Sequence, residues 1–142
     1  SHPLRWDAAT FHAVRDADVV VGNIYASYPI GFTRDHTAGR FRHFVMLNAL
    51  ATLAVARGRP TYLMVLPWYH PENKAVPWPT PLSDEQLRLS IELPQRLGVT
   101  PLFWACTSPL GDKRDTVTPA QLAEARARVA KIFPVSATAI GA

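Results

Sequence analysis

Three short segments of the sequence are nearly continuously apolar and β-branched, and this feature most constrains the fold. They are Asp18–Tyr25, Pro60–Leu66 and Thr100–Cys106, and their starts lie about forty residues apart. Such segments are typical of parallel strands that are covered on both faces of the sheet. A segment with helical periodicity follows each of them: Thr37–Arg57, Ser83–Leu97 and the residues from Thr118 to just before Pro134. This alternation predicts a parallel sheet with right-handed crossovers.

Signals at the helix ends agree with these bounds. Gly58 is expected to end the first long helix as a residue in the left-handed conformation. The stretches Ser83–Gln86 and Thr118–Gln121 both match the S/T-x-x-Q capping box. A further helix is predicted over Trp6–Asp16, which makes the order α(βα)3. The first long helix is expected to carry an apolar stripe made of Phe41, Phe44, Val45, Leu47, Ala51 and Val55.

The number of strands sets the expected fold class. A closed (β/α) barrel has eight strands and about 250 residues, whereas this chain has 142 residues and three predicted strands. We therefore expect an α/β fold in which residues 1–142 form a single partial (β/α) barrel of the TIM type. A further segment, a second chain or a second copy of this chain would complete it. A small open α/β fold is the alternative.

The loops that follow the predicted strands carry most of the aromatic and polar candidates. In α/β folds the functional side is the carboxyl end of the strands, and these loops span residues 25–36, 67–82 and 105–117. The second loop contains Trp68, Tyr69, His70 and Glu72. The two aromatic residues are candidates for a sugar-stacking platform, since the apolar faces of pyranose rings pack on aromatic rings; the alternative is that they pack against the rim of the sheet.

Acid–base chemistry has one candidate pair in the same loop. Glu72 is the candidate acid or base, and His70 is the candidate proton shuttle or hydrogen-bond donor to the transition state. The alternative for Glu72 is a solvated surface carboxylate. No carboxylate directly ends a predicted strand, so the pair that glycoside hydrolysis requires is not evident.

The ends of the first and third strands supply three more candidates. Asn23 and Tyr25 lie on the same side of the first strand by alternation, and in a barrel that side is the interior. A polar pair in a barrel interior favours a substrate-binding site; the alternative is that both side chains belong to the core. Trp104 ends the third strand, where it fits the floor of a site and the filling of a core equally well.

Composition excludes several classes of function. The net charge is +4, but the basic residues are spread along the chain, which favours solvated helix faces over a nucleic-acid surface; an acidic polysaccharide would use the same charge. Cys106 is the only cysteine, so no internal disulfide forms. Metal-ligand spacing and glycine-rich phosphate loops are absent, which predicts no metal and no cofactor. The longest apolar runs are too short to span a membrane.

Six stretches together resemble the C-terminal half of the barrel of the hyaluronidase family of glycoside hydrolases. They are Asn23-Ile24-Tyr25, the long helix that ends at Arg57, Tyr62 to Tyr69, Leu82-Ser83-Asp84-Glu85-Gln86-Leu87, Leu97-Gly98-Val99-Thr100 and Leu102-Phe103-Trp104. The resemblance implies a distorted barrel, an acidic glycosaminoglycan-like substrate, a groove lined by Tyr25 and Trp104, and an exported protein. The family's Asp-x-Glu motif and its disulfide-forming cysteines have no counterpart here. The resemblance therefore implies that the catalytic carboxylates lie outside this chain.

These observations lead to one predicted function and two alternatives. The chain is expected to be part of a glycoside-hydrolase-like barrel that binds or hydrolyses a polysaccharide. The first alternative is a non-catalytic half-barrel that acts as a binding or assembly module, which the missing carboxylate pair favours. The second is a small open fold that binds a nucleotide or another anion, which the missing phosphate loop disfavours.

Overall fold

A computed structural model describes residues 17–103 and 116–133 of the chain. Its elements are β1 (Val20–Ile24), α1 (Ala38–Ala56), β2 (Thr61–Val65), α2 (Asp84–Arg96), β3 (Thr100–Phe103) and α3 (Pro119–Ile132). The three predicted βα units are confirmed within these ranges. The predicted helix Trp6–Asp16 and the last three residues of the third predicted strand, including Trp104, lie outside the described residues.

The three strands form one parallel sheet in the order β1-β2-β3. Val20 is opposite Thr61 at the start of the β1–β2 pair, and Val65 is opposite Phe103 at the end of the β2–β3 pair. Right-handed crossovers between strands that follow each other in space put successive helices on the same face of a sheet. In agreement, α1 and α2 contact each other as well as the sheet.

One face of the sheet carries the core. Ile24, Leu63 and Val65 are buried there against Val45 and Ala49 of α1. On the other face Val21 is 43% exposed and Leu102 is 39% exposed. We call this second face, formed by Val21, Asn23, Tyr62, Met64 and Leu102, the open face. Within the described residues, the strands are therefore covered on one face, whereas two covered faces were expected.

Gly22 allows α1 to approach β1 closely. A Cβ atom at this position would overlap with the hydroxyl oxygen of Thr52 and would lie 3.0 Å from a methyl carbon of Leu63. Thr52 is itself fixed, because its hydroxyl donates a 2.7 Å hydrogen bond to the carbonyl of Asn48 in the preceding turn of α1. The side chain of Thr52 thus packs directly on the backbone of Gly22, and a side chain at position 22 would overlap with it.

The helix ends correct one sequence prediction and confirm two. Gly58 has φ of 84° at the end of α1, as predicted. Thr118 and Gln121 form the complete capping box at the start of α3. At α2 only half of the box exists: the Ser83 hydroxyl accepts from the backbone N–H of Gln86, but the side chain of Gln86 bonds to residues of two loops instead of returning to the backbone of Ser83.

The prediction of the apolar stripe of α1 is partly wrong. Leu47 is about half exposed, whereas Val45 and Val55 are buried as predicted. The residues that α1 buries include Ala49 and Thr52, which lie on the same side as Val45. Small residues face the sheet because the helix approaches it so closely, and this leaves Leu47 on the outer side.

The described part of the chain is thus a mixed α/β unit with three parallel strands and three helices. This arrangement is compatible with a partial (β/α) fold, and closure into a barrel stays a prediction. None of the helices in the described ranges combines the length and the apolar character needed to cross a membrane.

Candidate functional site

A cleft of about 700 Å³ opens beside the carboxyl ends of β1 and β2. Its walls come from the β1–α1 loop, the first turns of α1 and the β2–α2 loop, and Gln86 of α2 also reaches it. We call this space the cleft. The carboxyl end of parallel strands is the usual place for ligands in α/β folds, and the two loops meet there because β1 and β2 are hydrogen-bonded neighbours.

Tyr25 and His70 form a stacked pair between the two loops. Their ring centroids are 5.4 Å apart and their planes differ by 11°. The Tyr25 hydroxyl lies 3.3 Å from the sulfur of Met64 on the neighbouring strand, and the backbone N–H of His70 donates to the carbonyl of Ala26 at 2.8 Å. The side-chain stack and the backbone bond together fix the position of both rings.

The environment of His70 sets its neutral tautomer. The backbone N–H of Glu72 donates to Nδ1 of His70 at 3.3 Å, so Nδ1 is an acceptor and the proton of the neutral ring lies on Nε2. Burial lowers the pKa of His70 below its ordinary value, and the Glu72 carboxylate, 3.8 Å from Nδ1, partly offsets this effect. The imidazole is therefore held mainly in its neutral form.

Gln86 connects both loops to the start of α2. Its side chain is fully buried. Oε1 accepts hydrogen bonds from the Tyr69 hydroxyl at 2.6 Å and from the backbone N–H of Ile30 at 3.2 Å, and Nε2 donates to the carbonyl of Tyr28 at 3.0 Å. The Tyr69 hydroxyl in turn accepts from the backbone N–H of Ser83 at 3.2 Å. This one amide therefore ties both walls of the cleft to the start of α2.

Asn73 makes a further connection between the loops. Its Nδ2 donates to the carbonyl of Ser27 at 2.7 Å, and its Oδ1 accepts from the backbone N–H of Ala75 at 3.0 Å. The side chain is buried and forms part of the cleft wall. The β2–α2 loop is therefore bonded to the β1–α1 loop directly at Ala26 and Ser27, and indirectly through Gln86.

The cleft carries charges of both signs. Asp35 and Arg40 lie 3.7 Å apart at its rim, and both side chains are largely exposed. Glu72 contributes a second exposed carboxylate to the same lining. Over the ranges that the structure describes, His, Cys, Asp and Glu side chains form no group of three or more that would hold a metal ion.

Three of the predicted site residues, Tyr25, His70 and Glu72, come together, and Asn23 lies two positions before Tyr25. His70 stacks on Tyr25 and accepts a hydrogen bond from the backbone N–H of Glu72, and Tyr25 and Glu72 both line the cleft. Asn23 is exposed on the open face, opposite Met64. Alternation places it on the same face as Tyr25. Trp104 is outside the described residues.

Trp68 and Tyr69 are inside the protein, with exposures of 1% and 4%. Trp68 packs with Leu66, Val117 and Ala125. Tyr69 uses its hydroxyl in the bonds to Gln86 and Ser83 described above. Because both rings are almost completely buried, they support the β2–α2 loop from within, and their exposed area is small for stacking on a sugar.

Several residues of the cleft carried no functional signal in the sequence. Gln86 matched a helix cap, Arg40 was one of many dispersed basic residues, and Phe41 matched a core stripe. Asn73 follows the predicted cluster directly, and its place next to Glu72 is the one local hint. The residues Tyr28, Asp35 and His36 belong to the first strand-end loop, whose position beside the second loop follows only from the strand order.

No protein-family model, no curated protein and no solved structure matches this chain. The comparisons therefore neither support nor refute the resemblance to hyaluronidases.

Proposed function

We propose that this chain is part of a glycoside-hydrolase-like (β/α) barrel and that the cleft binds a polysaccharide. The observation that carries the proposal is the stacked pair of Tyr25 and His70 with the Glu72 carboxylate beside it. Tyr25 and Glu72 both line the cleft. An aromatic ring, an imidazole and a carboxylate are suited to bind a sugar ring and to move a proton at a glycosidic oxygen.

The open face supports the barrel part of the proposal. Val21 and Leu102 are apolar and substantially exposed there. In a (β/α) barrel the corresponding face of each strand points into the barrel, where side chains from the other strands cover it. Asn23 and Tyr25 would then lie in the barrel interior near its carboxyl end, where such enzymes have their active sites.

The size and lining of the cleft support a carbohydrate ligand. Its volume of about 700 Å³ falls within the range of about 300–1,000 Å³ that is usual for small-ligand sites. Tyr25 and Tyr28 offer aromatic surface for the apolar faces of a pyranose. Arg40 and Glu72 offer charged groups for its hydroxyl or acidic substituents.

Glu72 is the candidate acid or base of this chain under the proposal. Glycoside hydrolysis uses two carboxyl groups about 5–10 Å apart on either side of the scissile bond. Asp35 lines the same cleft, but Arg40 lies 3.7 Å from it. We therefore assign the companion carboxylate to a barrel strand that this chain does not contain, as the resemblance to hyaluronidases implies.

Binding to defined oligosaccharides tests the site. Isothermal titration calorimetry with a hyaluronan hexasaccharide and with chitohexaose covers one acidic and one neutral probe. Tyr25→Ala and Trp104→Ala are expected to lower the affinity for the bound probe at least about tenfold, or about 1.4 kcal/mol. Leu47→Ala, on the outer side of α1, is the control and is expected to bind normally. Normal binding by both Tyr25→Ala and Trp104→Ala would contradict the site.

Hydrolysis tests the role of Glu72 separately, in material where the full barrel is present. Glu72→Gln removes the titratable proton but keeps the shape of the side chain. We expect unchanged oligosaccharide binding with a loss of reducing-end release of 100-fold or more, within the range of about 10²–10⁴ for a general acid–base group. If the variant hydrolyses the substrate at the normal rate, Glu72 is not the acid or base.

The exposed apolar residues of the open face also favour the alternative of a non-catalytic module that closes by association. This alternative expects a homodimer in light-scattering measurements, and it expects Leu102→Lys to give a monomer because a charge would be buried in the interface. A wild-type chain that is monomeric at all concentrations and binds an oligosaccharide would contradict it.

A further inference from the structure

We propose that three rings of the β1–α1 loop, Tyr28, Phe32 and His36, form an outer subsite for an additional pyranose ring of a polysaccharide that occupies the cleft. We call these three side chains the aromatic cluster. The inference rests on the proposed function, and it adds that the ligand is an extended oligosaccharide that reaches beyond the cleft.

The three rings pack against one another at the protein surface. The centroids of Tyr28 and Phe32 are 5.3 Å apart, those of Tyr28 and His36 are 4.6 Å apart, and those of Phe32 and His36 are 5.6 Å apart. Tyr28 is 44% exposed and Phe32 is 41% exposed. Aromatic rings stabilise a fold less when they are exposed than when they are buried. An exposed group of packed rings is therefore typical of a binding surface.

The loop that carries the cluster is held rigidly. The backbone N–H of Gly31 donates to the carbonyl of His36 at 2.7 Å, and Gly31 has a φ of 85°, which favours glycine. The ring of His36 is fixed by a 2.6 Å hydrogen bond between its Nδ1 and the Thr33 hydroxyl. A rigid aromatic surface loses little conformational entropy when a ligand stacks on it.

Gln86 connects the cluster to the cleft. Its buried amide bonds to the carbonyl of Tyr28 and to the backbone N–H of Ile30, so the wall of the cleft and the base of the cluster are one hydrogen-bonded unit. Tyr28 and His36 line the cleft itself, whereas Phe32 is not part of the lining. A sugar chain that leaves the cleft past Tyr28 and His36 would next meet the ring of Phe32.

The size of the cluster favours a sugar over a protein partner. A stable protein interface uses about 20–30 residues on each side, whereas the cluster consists of three side chains bordered by polar residues such as Thr33 and Asp35. Three rings whose centroids lie 4.6 to 5.6 Å apart offer a small apolar surface, which suits the face of one pyranose ring. Self-association through the cluster is the competing outcome, and the experiment below detects it.

Affinity as a function of oligosaccharide length tests the subsite. The probes are hyaluronan and chitin oligosaccharides of two to ten sugar units, measured by calorimetry on the full chain. For the series that binds, we expect affinity to rise with length and then level off. Phe32→Ala is expected to bind the shortest ligands normally and the long ligands about tenfold more weakly, which corresponds to about 1.4 kcal/mol. Phe32→Tyr keeps a ring and is expected to bind all lengths normally.

Leu47→Ala is the matched control, because it removes a similarly exposed apolar side chain on the outer side of α1; it should leave every affinity unchanged. Thermal unfolding of each variant shows that the fold is retained. Equal loss at all lengths, or no loss at any length, in Phe32→Ala would overturn the subsite while leaving the proposed function intact. Absence of binding by the wild type to both series would overturn the proposed function and the subsite with it. A dimer that dissociates in Phe32→Ala would reassign the cluster to a protein interface.

Discussion

The hydroxyl of Tyr69 donates a 2.6 Å hydrogen bond to Oε1 of Gln86, and both side chains are buried. This bond joins the β2–α2 loop to the first turn of α2. The same Gln86 amide also holds the β1–α1 loop through Tyr28 and Ile30. The geometry of the cleft therefore depends on a glutamine that the solvent does not reach.

Gln86→Ala is expected to destabilise the fold strongly. It leaves the Tyr69 hydroxyl and two backbone groups of the β1–α1 loop without their partner, and a buried polar group that loses its hydrogen bond costs about 1–3 kcal/mol. We expect the free energy of unfolding, measured by urea denaturation, to fall by about 3 kcal/mol.

Gln121→Ala provides the control, because Gln121 occupies the same N3 position of a helix but lies at the surface. We expect a loss of about 0.5–1 kcal/mol there. Similar losses at Gln86 and Gln121 would show that Gln86 acts only as a helix cap.

Gly22→Ala is expected to strain the contact between β1 and α1. The new methyl group would overlap with the hydroxyl of Thr52, and overpacking of this kind costs about 1–3 kcal/mol. Thr52→Ala removes the overlapping atoms, so the double variant should lose less stability than the sum of the two single changes. The measurement is a double-mutant cycle by chemical denaturation.

Gly39→Ala is the matched control for Gly22→Ala. Gly39 lies in the first turn of α1, and a Cβ there would meet nothing closer than 3.9 Å. Because alanine favours helix over glycine, we expect this variant to be neutral or slightly stabilised. Strict additivity of Gly22→Ala and Thr52→Ala would contradict the close approach.

Arg59 is expected to stabilise the connection between the end of α1 and the start of β1. Its guanidinium donates to the carbonyls of Ala56, Val55 and Ala17 at 2.8, 3.0 and 2.6 Å. Hydrogen bonds that involve a charged group contribute about 1.5–3 kcal/mol, so Arg59→Ala should lower the free energy of unfolding by about 2 kcal/mol.

Arg59→Lys distinguishes hydrogen-bond geometry from charge at Arg59, and Arg88→Ala is the control for an exposed ion pair. Arg59→Lys keeps the charge but not the planar set of donors, and we expect it to recover less than half of the loss. Arg88→Ala removes an exposed ion pair with Glu92 and should change stability by less than about 0.5 kcal/mol. A full recovery by lysine would mean that charge alone matters at this position.

His70 is expected to make stability depend on pH. Its pKa in the folded protein lies below the ordinary value because of burial, so in the window between the folded and unfolded pKa values the unfolded state binds more protons. Stability therefore falls as the pH drops from about 6.5 through the lower folded pKa. Protonation of Nδ1 would also remove the acceptor for the backbone N–H of Glu72.

Urea denaturation from pH 8 to pH 5 measures this effect, and His70→Gln should lose that component of the pH dependence. The titration of the His70 ring by NMR gives the folded pKa directly, with the urea-unfolded chain as the reference. A folded pKa above the unfolded value would contradict the burial argument.

Two matches to the same capping-box pattern show the limit of prediction from sequence. Ser83–Gln86 and Thr118–Gln121 match the same capping box, but only Gln121 returns to the backbone of its cap. Gln86 differs because it lies beneath two loops whose backbone groups need partners. That environment depends on which strands are neighbours, and the local sequence contains no trace of it.

The aromatic residues of the β2–α2 loop show the same limit. Their number predicted a functional loop, but not which rings would be exposed. Trp68 and Tyr69 are buried, whereas His70 stacks on Tyr25 of the other loop. Exposure is decided by what packs on a side chain, and here that includes α3 residues such as Ala125.

By itself the sequence determined the three βα units, the helix caps at Ser83 and Thr118, and the loops in which a site would lie, because periodicity, capping and turn residues act over a few neighbouring positions. Only the tertiary structure decided that α1 and α2 cover one face of the sheet and leave Val21 and Leu102 exposed on the other. It also decided that Tyr25, His70 and Glu72 meet beside one cleft. The physical reason is that contacts between distant residues follow from strand order and from the packing of whole elements, which no local pattern records.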